Sequence, residues 1–471
     1  MFSLTSVKVC CMQYVIAEGR LLGGRIGGHA VGAGRKCAAM TAAPASVTID
    51  LLIKSDGGGI LLSIRRQATT AMFALTASSL LIAGCGTAKP AAQAAQKPVT
   101  IGTSLSLSGD FSGDGKSIEA GYKLWVDQVN KHGGLLGRKV KLVVLNDDSS
   151  TQQSLTNYST LIGTDHVDLV FGPFSSPLTI PAEQIAKRYG YLLPDPAGGA
   201  PSVFAENYDG YAYAKPASVP HNLLGLGNLL MSLPASERPK TVAYATSNDP
   251  FTEPQLPPLR KELEAAGMRT LYYQVFPDET PDLQPEALAI AQTHADAVVL
   301  GTTSVPQVQA FVQAFAQQHY NPKVIVATSG PDQGSAFSSA LGVANTEGFL
   351  VPIAWTPTAN SYQNKQFIQA YIAKYGGTAA SIPADAPDAY CVGQLVQELV
   401  TKTHSLKNAD LIKALHANTF QTVEGPMSFQ MDGAPAGTHM FLVQWQNGST
   451  KIVWPKDSQQ ASLEYPKPAW H

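Results

Sequence analysis

The chain of 471 residues has little charge, and this shortage already excludes some classes of protein. Charged residues make up 14% of it, hydrophobic residues 44%, and the formal net charge is −2. So apolar a composition excludes an intrinsically disordered chain. So small a net charge gives no reason to expect binding to nucleic acid. The length is ample for two domains with a large core.

Cysteine is also scarce, and the motifs of several enzyme classes are missing. The five cysteines stand at positions 10, 11, 37, 85 and 391, and no CxxC or HExxH spacing occurs. A Gly-x-Ser-x-Gly elbow and a Walker loop are likewise missing from the sequence. We therefore predict no metal site and no cofactor, and we favour a binding protein over an enzyme.

The first part of the chain divides into a glycine-rich stretch and a segment typical of a secretory signal. Residues 1–60 lack the strand and helix that would make their glycines a phosphate loop. Arg65-Arg66 then precedes the apolar run Ala71–Ala83, which is too short to span a bilayer comfortably. We expect residues 1–84 to be a leader, with a signal peptide at about 60–84, and the true start to lie downstream of Met1.

The signal segment ends in Leu-Ile-Ala-Gly-Cys, which resembles the lipobox of bacterial lipoproteins. The resemblance implies cleavage before Cys85 and lipid attached to that residue; the alternative is a buried helix that contains a cysteine. Residues 85–98 are rich in Ala, Gln and Pro and predict a tether to the membrane. Cys391 lies in an apolar helical pattern and is predicted to be a core residue.

The folded part is organised around one stretch, Val99–Asp148. It reads as an apolar strand, a loop rich in Ser, Gly and Asp, a helix from Ser117, and a second strand at Val140–Leu145. Two strands joined by a helix predict a parallel βαβ unit. The Ser/Gly loop then lies at the carboxyl end of the first strand, where open α/β sheets bind ligands.

The same alternation of strand and helix continues to about residue 200 and begins again at Thr241. We predict an α/β fold of two doubly wound, Rossmann-like parallel-sheet lobes with a ligand cleft between them. Gly348–Trp355 is a further strand, predicted to return to the first lobe. Asn447-Gly448 predicts a two-residue hairpin near the end. The predicted division is lobe 1 at 99–215 and 350–424, lobe 2 at 216–349 and 425–457, and a tail at 458–471.

Several of these stretches together resemble the periplasmic leucine/isoleucine/valine-binding proteins. The runs are SLSGDFSGDG, NKHGGLLGRKVKLVVLNDDSS, the loops at Gly172–Ser176 and Pro196–Pro201, the turn Gly330-Pro331-Asp332, and VEGPMSF at 423–429. No single motif is specific, but their order and spacing cover nearly all of Val99–Trp454. The resemblance implies a hinge of three chain crossings and closure of the lobes over a small solute.

The resemblance also implies ligand-binding positions. Ser176 and the backbone at Ala197 would hold a ligand carboxylate, and Asp332 would pair with its ammonium group. The full predicted ligand-binding set is Ser108, Asp114, Ser175, Ser176, Ala197, Gly198, Gly199, Phe251, Thr303 and Asp332. Several members have a structural alternative: a helix cap for Ser175, Ser176 and Asp332, a turn for Gly198 and Gly199, and the core for Phe251.

Four positions depart from the family's pattern and bear on the ligand. Gly199 stands where the family has a threonine, and Asp114, Phe251 and Thr303 stand where it has tyrosines. Each missing hydroxyl would leave a polar group of an amino-acid ligand unpaired, at a cost of roughly 1–3 kcal/mol. An amide, urea or an aromatic acid is therefore an alternative to a branched-chain amino acid.

The sequence thus favours an extracytoplasmic, lipid-anchored receptor for a small polar solute. We expect it to be a monomer that serves the permease subunits of an ABC transporter and binds no nucleic acid. A sensor that uses the same cleft is one alternative. An enzyme with Asp114 and Asp332 as a carboxylate pair is another.

Overall fold

The computed structural model describes residues 96–278, 280–437 and 440–471. The predicted leader, Cys85 and most of the tether lie outside these residues. Within them the strands are β1 (Val99–Leu105), β2 (Val140–Asn146), β3 (Leu169–Val170), β4 (Leu193–Asp195), β5 (Tyr211–Tyr213), β6 (Thr241–Ser247), β7 (Arg269–Phe276), β8 (Ala297–Gly301), β9 (Val324–Ala327), β10 (Phe349–Ile353), β11 (Phe420–Thr422), β12 (Gly425–Met427), β13 (Phe441–Gln446) and β14 (Ser449–Trp454).

The α-helices alternate with these strands. They are α1 (Ser112–Lys131), α2 (Thr151–Tyr158), α3 (Ser176–Tyr189), α4 (Pro201–Phe204), α5 (Leu224–Met231), α6 (Leu256–Ala265), α7 (Gln284–Thr293), α8 (Val305–Gln317), α9 (Ser335–Leu341), α10 (Val343–Thr346), α11 (Asn364–Tyr375), α12 (Asp385–Thr403) and α13 (Asn408–Leu415). A π-helical segment, Ser159–Thr164, continues α2. Among the described residues no helix combines the length and the apolar character needed to cross a membrane.

The first sheet grows from the strand–helix–strand unit that the sequence predicts. β2, β1 and β3 lie side by side and parallel, and β4 pairs in parallel with β5. The Gly172 N–H donates to the Pro194 carbonyl at 2.9 Å, which joins β3 to β4. Buried side chains pack on both faces of this layer. The prediction missed β5, because its three residues are too few to show a period.

The second sheet has the order β14-β13-β10-β9-β8-β6-β7. Five neighbouring strands, β10, β9, β8, β6 and β7, are parallel. β13 and β14 form a hairpin that pairs antiparallel with β10. Asn447 and Gly448 both adopt positive φ, 52° and 71°, as the predicted two-residue turn requires. Two parallel-rich α/β sheets with helices on their faces confirm the predicted fold class.

The predicted lobe boundaries need correction where short strands decide them. β10 pairs with β9 and β13, so it belongs to the second sheet, and the chain leaves that sheet only after Ile353. Pro352 has no N–H to donate, and the pairing of β10 with β9 does not extend beyond Leu350. β12 pairs with β11, and Met427 packs in the first core, so the second lobe resumes only after Met427 and not at the predicted residue 425. The predicted tail also packs on the second lobe through Leu463.

Helix α1 begins at Ser112 rather than at Ser117. Gly115 makes this start feasible, because a Cβ there would lie 2.1 Å from the Ser106 carbonyl oxygen. The earlier start places Asp114 in the first turn, where a carboxylate is favourable. At Gly121 a Cβ would lie 2.2 Å from the Ala386 carbonyl oxygen, so the glycine lets α12 pack closely on α1. The acidic start of α12 is thereby held against the first sheet.

Candidate functional site

One cavity lies where the carboxyl ends of both sheets meet. It encloses about 700 Å³ of empty space, its opening to solvent included. The lining residues come from loops after β3, β4, β5, β6, β8 and β9, from the end of β10 and from the start of α12. They are Phe174, Ser175, Pro196, Ala197, Tyr213, Lys215, Asn222, Asp249, Phe251, Thr303, Thr328, Ser329, Asp332, Pro352, Ile353, Ala354, Ala384, Asp385, Asp388 and Met440.

Half of the predicted ligand-binding residues line this cavity. Ser175, Ala197, Phe251, Thr303 and Asp332 are brought together there from both lobes. Asp332 is not a helix cap, because α9 begins only at Ser335 with Gly334 at its cap position. The Gly-Pro-Asp turn instead holds the Asp332 carboxylate through the Gly330 N–H at 2.7 Å. The role of these five residues in binding stays a prediction.

The other five predicted residues do not line the cavity. Ser108 binds Asn146 and Ser149 at the outer side of the first loop, and Ser176 accepts a hydrogen bond from the Ala200 N–H at 3.1 Å. Gly198 and Gly199 serve close packing, because a Cβ at either would lie within 2.4 Å of a neighbouring side chain. Asp114 is buried and reaches the site only through its acidic neighbours. The structural alternatives are not the ones expected either: the Ser176 hydroxyl bonds Ala200 and does not cap α3, and the two glycines serve close packing without adopting positive φ.

The carboxylate-holding role of Ser176 and the Ala197 backbone stays a prediction, but the structure gives the Ala197 N–H an internal partner. The chain's own Asp195 carboxylate takes the N–H groups of Ala197 and Gly198, each at 2.7 Å from Oδ1. Its other oxygen accepts from the Thr179 hydroxyl at 2.8 Å. Burial raises the pKa of Asp195 to about 6, against the lowering effect of these hydrogen bonds. An internal carboxylate therefore occupies the place expected for a ligand's.

Acidic side chains dominate the electrostatics beside the cavity. Burial, and then the charge of Asp332, raises the pKa of Asp114 to about 7, and burial raises the pKa of Asp332 to about 6. Burial also raises the pKa of Asp385 well above its usual range, followed by the charges of Asp114, Asp388 and Asp332. Closely spaced carboxyl groups in a poorly hydrated site favour the binding of a positively charged ligand.

Lys215 is the one basic side chain among the described residues that line the cavity, and it is already paired. Its ammonium group contacts the carboxylate of Asp388. Burial alone would lower the pKa of Lys215, but the charges of Asp388 and Glu424 raise it above its ordinary value. A lysine held by two acids offers little free positive charge to an anionic ligand.

Three further polar groups face the cavity without a partner among the described residues. They are Ser175 Oγ, Asn222 Oδ1 and Asp249 Oδ2, in residues that are 7%, 6% and 2% exposed. Ser175 has φ 73° and ψ 149° at the cap position of α3, yet its hydroxyl makes no cap hydrogen bond. Such a strained, unpaired group is typical of a functional position.

Sequence reasoning missed Lys215, Asn222, Asp249, Asp385 and Asp388. Asp385 and Asp388 stand three apart in the first turn of α12, a spacing that would equally suit an ordinary acidic helix start. Asp249 stands in an Asn-Asp-Pro run, which is typical of an ordinary turn. A lone lysine between two segments gives no signal at all. Cys391, by contrast, is confirmed as a core residue.

The two lobes touch at the floor of the cavity. The Ala384 N–H, at the start of α12, donates to the Asp332 carbonyl at 3.2 Å. The Gln333 amide donates to Asp385 Oδ2 at 2.8 Å. Both bonds join a first-lobe helix to the second-lobe loop after β9, so they form only when the lobes are close together.

Two α/β lobes with one polar cavity between their strand ends define a two-lobed solute-binding protein. Comparison with known proteins agrees, because the family described as periplasmic binding protein matches residues 98–450. The chain belongs to this family, whose members bind solutes and are not enzymes. A Leu/Ile/Val-binding protein homolog from Brucella melitensis is 23% identical over 396 residues, which cover 79% of this chain and 95% of that protein.

Solved structures share the fold at lower identity. A leucine-binding protein from Thermotoga maritima has a TM-score of 0.65 at 17% identity, covering 75% of this chain and 97% of that one. An ABC transporter solute-binding protein from R. palustris, in complex with benzoate, has a TM-score of 0.65 at 18% identity, covering 79% and 98%. Likeness at this identity shows the fold and leaves the ligand open.

Proposed function

We propose that the protein is an extracytoplasmic lipoprotein that captures a small polar organic solute and delivers it to the permease of an ABC transporter. The observation that carries the proposal is the single cavity built by strand ends of both lobes. Polar groups without partners face it from both sides, at Ser175 in one lobe and at Asp249 in the other. A solute that satisfies both groups joins the lobes.

Closure of the lobes is the step that would couple binding to delivery. A ligand that touches both lobes binds the closed form better than the open one, and so it shifts the population toward closure. The bonds from Ala384 to Asp332 and from Gln333 to Asp385 already span the lobes. A permease that recognises the closed form would then receive only loaded protein.

The known relatives suggest two solute classes for a first screen. The Brucella relatives are described as Leu/Ile/Val-binding, and the R. palustris protein holds benzoate. Branched-chain amino acids and aromatic acids are therefore the first candidates for this chain, and the amides that the sequence leaves open come next. Lipid attachment at Cys85 would keep the receptor beside its permease outside the cytoplasmic membrane.

The decisive test is direct binding by the full-length protein, purified in mild detergent. Mass spectrometry of the denatured protein identifies any solute that co-purifies, and thermal unfolding with that solute measures its effect. We expect a single solute class, a rise in Tm and no chemical turnover. The variant Asp332→Lys should lose the rise, whereas the matched exposed variant Asp457→Lys should keep it. A protein that releases no solute and responds to no metabolite would contradict the proposal.

The lipid anchor needs its own test. A Cys85→Ser variant should no longer incorporate labelled palmitate and should no longer be found in the membrane fraction. A Cys391→Ser variant should still incorporate palmitate and stay in the membrane fraction. Label that persists in Cys85→Ser would rule out this anchor.

A further inference from the structure

Among the atoms of the described residues that line the cavity without a partner, acceptor oxygens at Asn222, Asp249 and Asp388 outnumber the one hydroxyl that can donate, Ser175 Oγ. Asn222 Oδ1 and Asp249 Oδ2 face it without a partner among the described residues, although both side chains are more than nine-tenths buried. The second oxygen of Asp332 has only a 3.5 Å contact with the Ser329 hydroxyl. A buried acceptor is costly to leave unpaired, so the group that satisfies these oxygens is a donor on the solute.

The charge of the lining points the same way. Four carboxyl side chains line the cavity, Asp249 and Asp332 from the second lobe and Asp385 and Asp388 from the first. The ammonium group of Lys215 contacts Asp388, and no second basic side chain of the described residues lines the cavity to offset the other three. Charge-assisted donors from a cation would pair with these oxygens more strongly than neutral donors.

In the first lobe, the donors predicted to hold a ligand carboxylate are not free at the cavity. The backbone N–H groups of Ala197 and Gly198 already donate to Asp195. Ser176 does not line the cavity, and its oxygen accepts from the Ala200 N–H, so the Ser175 hydroxyl is the one partnerless donor that the described first-lobe residues present there. A solute carboxylate would therefore meet the acidic lining without these donors.

Resting on the function proposed above, we propose that the solute is an organic cation, an amine, amidine or guanidine, that carries no carboxylate. A metal ion is the poorer occupant, because no three His, Cys, Asp or Glu side chains of the described residues are grouped to hold one. An organic cation uses directional N–H donors, which suit acceptors spread over two lobes. The amino-acid and aromatic-acid ligands of the relatives would then be excluded by charge.

Matched pairs of compounds test this proposal on the full-length protein in detergent, by calorimetry at pH 7.5. Leucine is compared with leucinamide and isoamylamine, and benzoate with benzylamine and benzamidine. Within each set the hydrocarbon part is kept, while the carboxylate is removed (isoamylamine), converted to a neutral amide (leucinamide) or replaced by a cationic group (benzylamine and benzamidine). We expect at least one cation to bind at least tenfold more tightly than its carboxylate counterpart.

Variants then connect the preference to the lining. Asp332→Asn should weaken the cation at least tenfold, whereas the exposed control Asp457→Asn should change nothing. Tighter binding of leucine or benzoate overturns the inference and leaves the proposed function standing. If none of the six compounds binds, the solute that co-purifies decides. A cation without a carboxylate supports the inference, a carboxylate overturns it, and no recovered solute overturns the proposed function as well.

Discussion

The chain makes the same turn twice, once in each lobe. The two turns differ in whether the second oxygen of the aspartate carboxylate has a hydrogen-bond partner. Asp195-Pro196 ends β4, and Asp249-Pro250 follows β6. In both, Oδ1 accepts from the N–H groups two and three residues further on, at 2.7 and 2.7 Å for Asp195 and at 2.7 and 3.2 Å for Asp249. The Oδ2 of Asp195 is bonded to Thr179, whereas that of Asp249 has no partner among the described residues.

The difference shows which level of structure decides the role of a residue. Local sequence forms the turn, because an aspartate before proline readily caps the N–H groups that follow it. The neighbouring helix then decides whether the second oxygen is used. Thr179 on α3 closes the first turn into a structural unit. The second turn keeps an open carboxylate beside the cavity, where a solute can reach it.

The largest effect is expected from removing the closed turn. Asp195→Ala leaves the N–H groups of Ala197 and Gly198 without their acceptor, whereas the Thr179 hydroxyl keeps the Ser175 carbonyl at 2.9 Å. At roughly 1–3 kcal/mol for each buried unsatisfied group, the free energy of unfolding should fall by about 3 kcal/mol or more. Urea titration followed by circular dichroism measures the loss. A change below about 1 kcal/mol would show that the turn does not depend on this carboxylate.

A substitution in the open turn, at Asp249, should change solute affinity and not the free energy of unfolding. Asp249→Asn keeps an acceptor for the N–H groups of Phe251 and Thr252 but removes the negative charge at the cavity. We expect solute affinity to fall about tenfold, equivalent to roughly 1.4 kcal/mol, with unfolding free energy nearly unchanged. Calorimetry and urea titration of the same preparation separate the two effects. Unaltered affinity would remove Asp249 from the site.

The two aspartates should also titrate alike without solute and differently with it. Burial raises the pKa of each to about 6, with the charge of Asp278 adding to the rise for Asp249. Because each folded-state pKa lies above the unfolded value, the stability each contributes is present at low pH and lost as pH rises through about 6. The unfolding free energy of the free protein should therefore fall between about pH 4 and pH 7.

Of these two aspartates, only Asp249 should regain its stabilising effect above pH 6 when a cationic solute binds. The solute favours the ionised carboxylate that it touches, so the pKa of Asp249 should drop by about one unit while that of Asp195 stays at about 6. Carboxyl-carbon NMR titrations with and without solute measure both. The other charged groups around the cavity are Asp114, Lys215, Asp278, Asp332, Asp385, Asp388 and Glu424. Equal shifts at Asp195 and Asp249 would erase the distinction between the turns.

The same contrast explains how much the sequence could predict. Periodicity and turn residues found nearly every long strand and helix, and the order of motifs identified the family, because these signals are local or sequential. The pairing partner of β10 depended on tertiary packing, which no local pattern shows. The prediction of the binding residues fell short for the same reason, because their contacts also depend on tertiary packing. Ser176 and Ala197 matched the family's motif, but only the fold brings the Ala200 N–H to the Ser176 oxygen and the Asp195 carboxylate to the Ala197 N–H.

The adjacent serines at the start of α3 give the smallest and most selective comparison. Ser176 Oγ accepts from the Ala200 N–H, so Ser176→Ala should lower the unfolding free energy by about 1 kcal/mol and leave solute affinity unchanged. Ser175 Oγ has no partner among the described residues and faces the cavity, so Ser175→Ala should leave stability within about 0.5 kcal/mol and weaken binding several-fold. Both residues differ from alanine by one hydroxyl, and both variants are measured by urea titration and calorimetry. The reverse pattern would place the ligand contact at Ser176, where the family resemblance put it, and would move the solute out of the cavity described above.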